Sequence, residues 1–176
     1  PGLAMGYRVA RYVKAHYPRS EDEELVCIAE NKSCSVDAVQ FLLGCTAGKG
    51  NLIVIDNGKQ AFTFYSRDHG KALRIYFKGD VFAGMDAMRQ KMAAGTLTAA
   101  DKKEMEGMRS RIMEQILAGR DEDLLDVREA EIPAPEKARI YPSLVCQECG
   151  ERFMEIMGRT AEGKVLCKDC FARLIC

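Results

Sequence analysis

An α+β chain is predicted here, with a mixed-sheet core of order α-β-α-β-β-β, added helices and a small cysteine-built module at the end. Three observations carry that expectation. Apolar residues at helical spacing alternate with short apolar runs over residues 1–78, methionine-bearing stripes of helical period follow, and two C-x2-C pairs stand close together near the end. The expected organisation is a core domain with its helical extension over residues 1–119, a linker over 120–143 and a module over 144–176.

Leu3, Gly6, Val9 or Ala10 and Val13 share one helical face, with Arg8, Arg11 and Lys14 mostly elsewhere, so residues 1–17 read as a helix ending near Pro18. The polar PRSEDEE segment is a loop. Residues 25–29 (LVCIA) and 51–56 (NLIVID) are continuous apolar runs, the pattern of strands covered on both faces, and Cys27 belongs to the core of the first. Between them Ser33 or Ser35 can cap a helix through Ala38, Val39, Phe41, Leu42 and Leu43, with Gly44 at its end. Strand, helix and strand then form a βαβ-like unit. Asn57-Gly58 is a strong hairpin signal and predicts that the second strand pairs with residues 59–66. A further turn at residues 67–70 leads to a strand at 71–78, where Leu73, Ile75 and Phe77 mark one buried face.

Val81, Phe82, Met85, Met88 and Met92 make one helical stripe. After Gly95, a Thr98-x-x-Asp101 capping box opens a second helix through Met105, Met108, Ile112 and Ile116, ending at Gly119. Such stripes serve core packing or a dimer contact, and the excess of apolar stripe predicts a homodimer. An acidic segment and Pro133, Pro135 and Pro142 then argue for a linker, with at most a short strand at residues 124–127.

The composition excludes several classes of function. Lys+Arg 26 balances Asp+Glu 26, so no global field draws the chain to nucleic acid or anionic lipid. No apolar run approaches the roughly 20 residues that span a bilayer, and no secretory signal opens the sequence, so no membrane association and a cytoplasmic location are expected. In a reducing compartment eight cysteines point to metal before disulfides.

Cys146, Cys149, Cys167 and Cys170 have the spacing of a tetrahedral four-thiolate zinc site. Four thiolates close the coordination shell, so the zinc is structural. Phe171, Ala172, Leu174 and Ile175 suggest a terminal helix, making the module a treble-clef-like zinc finger, and Cys176 falls outside the pattern as a free thiol. Thiol exchange is the competing use of C-x2-C. The module's basic residues, Arg173 among them, are offset by acidic ones, so nucleic-acid binding is not favoured.

Cys34 and Cys45 sit at the two ends of the predicted second helix. A helix of about ten residues rises roughly 15 Å, too far for both to hold one ion unless the helix breaks. Cys34, at the N-terminal end, is the better candidate for a reactive thiol or ligand. Cys45 is a candidate ligand or a small residue in a tight turn. Asp37 and Lys49 are the nearby polar groups, and Gly48-Lys49-Gly50-Asn51 is a turn or an anion site, lacking the order of a P-loop.

The ordered motifs PGLAMGYR, ENKSCSVDAVQFLLGCTAGKGNL and DNGKQAFTFYSRDHGKALRI resemble the FmdE family of formylmethanofuran dehydrogenase, many members of which carry a C-terminal zinc finger. The similarity covers about residues 1–80. The resemblance implies an α-β-α-β3 core like the catalytic domain of glyceraldehyde-phosphate dehydrogenases in fold only. It further implies a second, transition-metal site in the core domain, faced by Cys34 and Cys45. In the family that site's further ligands lie in a His-Gly-His-x-Cys motif just before the segment matching residues 1–3, so the site is incomplete over these 176 residues. His16 and His69 stand outside that motif and read as surface residues. By resemblance the chain is a metal-binding accessory protein associated with a molybdenum or tungsten oxidoreductase. A thiol- or metal-dependent enzyme centred on Cys34 and a zinc-finger nucleic-acid-binding regulator are the alternatives.

Overall fold

The computed structural model describes residues 1–17, 25–78, 81–82 and 84–175. The loop expected after Pro18 and the thiol of Cys176 lie outside the described residues. The chain folds as two compact units, residues 1–137 and 138–176. Among the described residues no helix is long and apolar enough to cross a membrane.

The first unit is built on α1 (Gly2–His16), β1 (Leu25–Ala29), α2 (Ser35–Leu43), β2 (Leu52–Val54), β3 (Ala61–Ser66) and β4 (Lys71–Phe77). This is the α-β-α-β-β-β order that the periodicities predict. Then come α3 (Asp86–Ala93), α4 (Ala99–Ala118), α5 (Asp121–Leu124) and β5 (Leu125–Ala130). The sheet is mixed, ordered β2-β1-β3-β4-β5, with β1 and β2 parallel and the other pairs antiparallel.

The registers Cys27 to Phe64 and Phe64 to Leu73 align one apolar rung facing the helices. Val9, Val13, Phe62, Phe64, Ile75 and Ile116 are sealed in that core, each contributing about 1.5–3 kcal/mol by leaving water. The other face carries a smaller rung of Val26, Tyr65 and Ala72, covered by Ile132, while the Arg67 guanidinium donates to the carbonyls of Pro135 and Glu136.

Two close approaches fix the helices. At Gly6 a Cβ would stand 2.0 Å from the Ser35 carbonyl oxygen, so only glycine lets α1 lie this near the first turn of α2. Arg8 belongs to the buried face of α1 and not to its polar one. Its guanidinium donates to the carbonyls of Ile116 at 3.1 Å and Leu117 at 2.9 Å, at the end of α4, and pairs with Asp121. A cation is favoured there because the helix end leaves carbonyls unpaired.

Several expectations need correction. Gly58 does take the left-handed backbone that an Asn-Gly turn uses, at φ +67, but Asn57-Gly58 makes no hairpin, because β3 inserts on the far side of β1 from β2. The connection instead crosses the end of β1, where the Asn57 and Lys59 amides both donate to the Glu30 carbonyl. β2 is consequently an edge strand and not covered on both faces: Ile53, Val54 and Ile55 are exposed. The segment read as a linker is ordered at its start. Its short strand, expected at residues 124–127, is Leu125–Ala130, hydrogen-bonded to β4, and the unit boundary falls after residue 137. Alternation too short to stand out in an acidic stretch becomes a strand because β4 offers an unpaired edge. The first methionine stripe is helical only from Asp86, and its Met92 is exposed. Met85, Met88, Ile112 and Ile116 are buried as core, and the Thr98–Asp101 capping box is present.

The second unit consists of two antiparallel pairs, β6 (Ser143–Val145) with β7 (Arg152–Met154) and β8 (Arg159–Ala161) with β9 (Lys164–Leu166), and α6 (Lys168–Ile175). Hairpin, hairpin and helix in that order is the expected treble-clef-like arrangement. Among its described residues the buried ones are Cys146, Leu166 and Cys170.

Candidate metal centre

Cys146 leaves β6 and Cys149 precedes β7, joined by a tight turn in which the Gly150 amide donates to the Cys146 carbonyl at 2.9 Å. Gly150 has φ +76, which a glycine takes without steric penalty. The Cys146 amide reaches the Glu151 carbonyl at 2.9 Å, closing the first knuckle, and the Gln147 amide binds the Val165 carbonyl of β9 at 3.0 Å. That last bond brings the second pair to the first, because β9 runs directly into Cys167 and then into α6, whose first turn carries Cys170.

The four sulfurs lie within 4.8 Å of one another, Cys149 and Cys167 at 4.0 Å. Tetrahedral zinc with Zn–S bonds of about 2.3 Å requires sulfurs roughly 3.8 Å apart, so the residues fit the ion. Among the described residues this is the one cluster of three or more such ligands. The backbone prepares it: amides of Cys149, Cys167 and Glu148 converge on the Cys146 sulfur and hold its thiol pKa down to about 6, the Cys167 amide at 3.3 Å. Burial pushes the Cys170 thiol up to about 12 against the opposing Arg173 guanidinium. The Glu151 amide draws Cys149 down, but desolvation and the Cys146 sulfur outweigh it and leave that thiol raised. A cluster of thiols that resists ionising all its members releases protons when a divalent ion enters.

Sequence reasoning counted Arg173 as surface charge, whereas its Nη2 donates to the Cys170 sulfur at 3.0 Å. The legible signal was its spacing, three residues after Cys170 on a helix. Asn51 was also missed: it is buried, its amide donates to the Leu25 carbonyl at 3.0 Å, and its side-chain oxygen accepts from the Thr46 amide at 2.9 Å. It latches the loop of residues 44–51 to β1.

The core-domain candidates do not converge. Cys34 is exposed just before α2, beside the start of α1, where a Cβ on Gly2 would lie 3.5 Å from its own. Cys45 is buried at the other end of α2, donates toward the Leu25 carbonyl at 3.5 Å and lies near Cys27, whose thiol burial and the neighbouring Cys45 push well up. Asp37 is exposed in the first turn of α2, and Lys49 lies beyond its last turn, its Nζ near Gly44. The nine-residue helix, roughly 13 Å long, keeps Cys34 and Asp37 apart from Cys45 and Lys49. His16 and His69 are both exposed, the first edge-on against Tyr12 and the second bonded to Ser66.

A mixed-sheet α+β unit followed by a four-cysteine zinc finger defines the class of this protein. Residues 1–126 match the family model described as FmdE, molybdenum formylmethanofuran dehydrogenase operon, and residues 139–174 match the prokaryotic dksA/traR C4-type zinc finger. The chain belongs to the FmdE family. It is 26% identical over 182 aligned positions to a probable S-adenosyl-L-methionine-binding protein of Archaeoglobus fulgidus, covering 97% of this chain and 48% of that one, so it spans about half the length of this relative. The fold is also that of a tungsten formylmethanofuran dehydrogenase FmdE-like protein from Syntrophus aciditrophicus, with a TM-score of 0.65, 24% identity, and 98% of this chain and 83% of that one covered.

Proposed function

We propose that this chain is a metal-binding accessory protein whose finger holds a structural zinc and whose core unit serves a molybdenum or tungsten oxidoreductase in the cytoplasm. The observation that carries the metal reading is the convergence of Cys146, Cys149, Cys167 and Cys170 within 4.8 Å. The association with a formylmethanofuran dehydrogenase is supported by the family name alone. Zinc closed in by four sulfurs has no position for water or substrate, so its role is to fold the finger. Its chemistry when bound is to cross-link four thiolates and offset half of their charge.

A second transition metal in the core unit would take Cys34 as one ligand, since that sulfur is exposed at the start of α2 and beside the start of α1. Cys45, sealed in the core, would then be a packing residue. A homodimer is supported by apolar surface that the first unit leaves uncovered: Phe41 is 89% exposed, and the 20-residue α4 buries only Asp101, Ile112 and Ile116.

Elemental analysis of the purified chain tests the metal reading. One zinc per chain is expected, rising by a second metal equivalent if the core site fills, and a zinc-free protein overturns it. Capture of a molybdenum or tungsten enzyme by the tagged chain from an anaerobic extract supports the accessory role. Sedimentation giving only monomer removes the dimer.

A further inference from the structure

The four sulfurs of the finger are not equivalent. Cys146 is buried and receives three amides, and Cys170 is buried and receives the Arg173 guanidinium at 3.0 Å. Cys149 is exposed, accepts the Glu151 amide, and has the Glu151 carboxylate Oε2 at 4.0 Å from its sulfur. A cavity of about 350 Å³ opens beside Cys149 and Cys170 and is walled by Lys164 and Arg173. The Lys164 ammonium is held by Glu148 at 3.2 Å, which leaves Arg173 as the cation donating to a sulfur.

Zinc with four thiolates is a doubly negative cluster, and each sulfur's grip on the ion depends on how its excess charge is shared with neighbours. A charge-assisted hydrogen bond from a planar guanidinium draws charge from the Cys170 sulfur and lowers its nucleophilicity. A carboxylate beside Cys149 acts in the opposite sense and disfavours added negative charge there.

We infer that Arg173 is a positioning residue that clamps Cys170 on the zinc, and that Cys149 is the labile ligand through which the site exchanges or is attacked. The step at Cys149 breaks its bond to zinc. With an alkylating probe the sulfur's electron pair forms the new carbon–sulfur bond as iodide leaves, and the vacant zinc position is taken by water or chelator. The inference rests on zinc binding by the four cysteines; failure of that reading would appear earlier, as absence of zinc from the wild-type chain.

The test uses the full zinc-loaded chain, limiting iodoacetamide with mass-spectrometric mapping of the first labelled cysteine, and zinc release to a chromophoric chelator. In the wild type the first label among the four finger cysteines is expected on Cys149, with Cys170 last; the exposed Cys34, outside the zinc site, labels independently of them. Arg173→Met retains length without charge; it should release zinc about tenfold faster, in the range of lost outer-shell partners, and move early labelling onto Cys170. Arg173→Lys should restore the wild-type order, and Glu151→Gln should slow labelling of Cys149. Cobalt charge-transfer bands of unchanged intensity would show that four thiolates still coordinate in each variant. A first label on any other of the four finger cysteines, or release and labelling by Arg173→Met within twofold of wild type, overturns the inference. Should Arg173→Met fail to load metal, Arg173→Gln replaces it, and equal behaviour of the Gln and Lys variants is then the overturning result.

Discussion

The two units of this chain reach stability by opposite routes. In residues 1–137 a continuous core runs from Val9 on α1 through Phe64 on β3 to Ile116 on α4, these three fully sealed from water. Among the described residues of 138–176 the buried side chains are Leu166 and two of the cysteines themselves. A unit that small cannot bury enough apolar surface to offset the ordering of its backbone, so the ion must supply the difference. The large unit should tolerate loss of the finger's metal and suffer from mispacking; the small one should do the reverse.

The sharpest way to break that contrast is to remove the ion. Chelation, or Cys146→Ser, should unfold residues 138–176 while leaving residues 1–137 intact, because structural zinc supplies on the order of 10 kcal/mol of folding free energy. Limited proteolysis confined to the second unit would show it; cleavage spread equally over both would refute the division.

Packing is the next lever. Gly6→Val drives a branched side chain into the Ser35 carbonyl, already 2.0 Å from a bare Cβ, and should cost the first unit about 3 kcal/mol in urea melts followed by circular dichroism, with zinc content unchanged. Arg8→Met takes the guanidinium from the Ile116 and Leu117 carbonyls and leaves Asp121 with Arg11 as its cation at 3.6 Å, a loss of about 2 kcal/mol by the same measurement. A null effect would mean that α4 is held by its apolar stripe alone.

The smallest effect is at the start of α4. Thr98→Ala removes the hydroxyl that accepts from the Asp101 amide at 3.1 Å and should cost about 1 kcal/mol. Lys91 and Thr98 hold the Asp101 carboxyl well below the usual carboxylate range. Its proton is therefore bound less tightly in the folded than in the unfolded state, so its stabilisation is full near neutrality and fades as the pH falls below the ordinary range. The stability difference between wild type and Asp101→Asn should shrink on acidification below about pH 4; a constant difference would refute the assignment.

Local pattern alone determined much of this protein. The periods of Gly2–His16 and Ser35–Leu43, the capping box at Thr98 and the cysteine pairs at 146/149 and 167/170 were legible because each is set by residues a few positions apart, where spacing fixes geometry. The break between strands at Asn57-Gly58 was legible too, but not the path the chain takes after it. Whether the next strand pairs with β2 or crosses to the far side of β1 depends on which sheet edge buries Phe62 and Phe64 under α1, a choice made by packing far along the chain. The same holds for the edge that turns residues 125–130 into a strand, for Arg8, charged by sequence and buried by the end of α4, and for the placement of Cys45 beside Cys27 in the core. Tertiary structure alone decided these, because a side chain's environment is set by whatever segment folds against it.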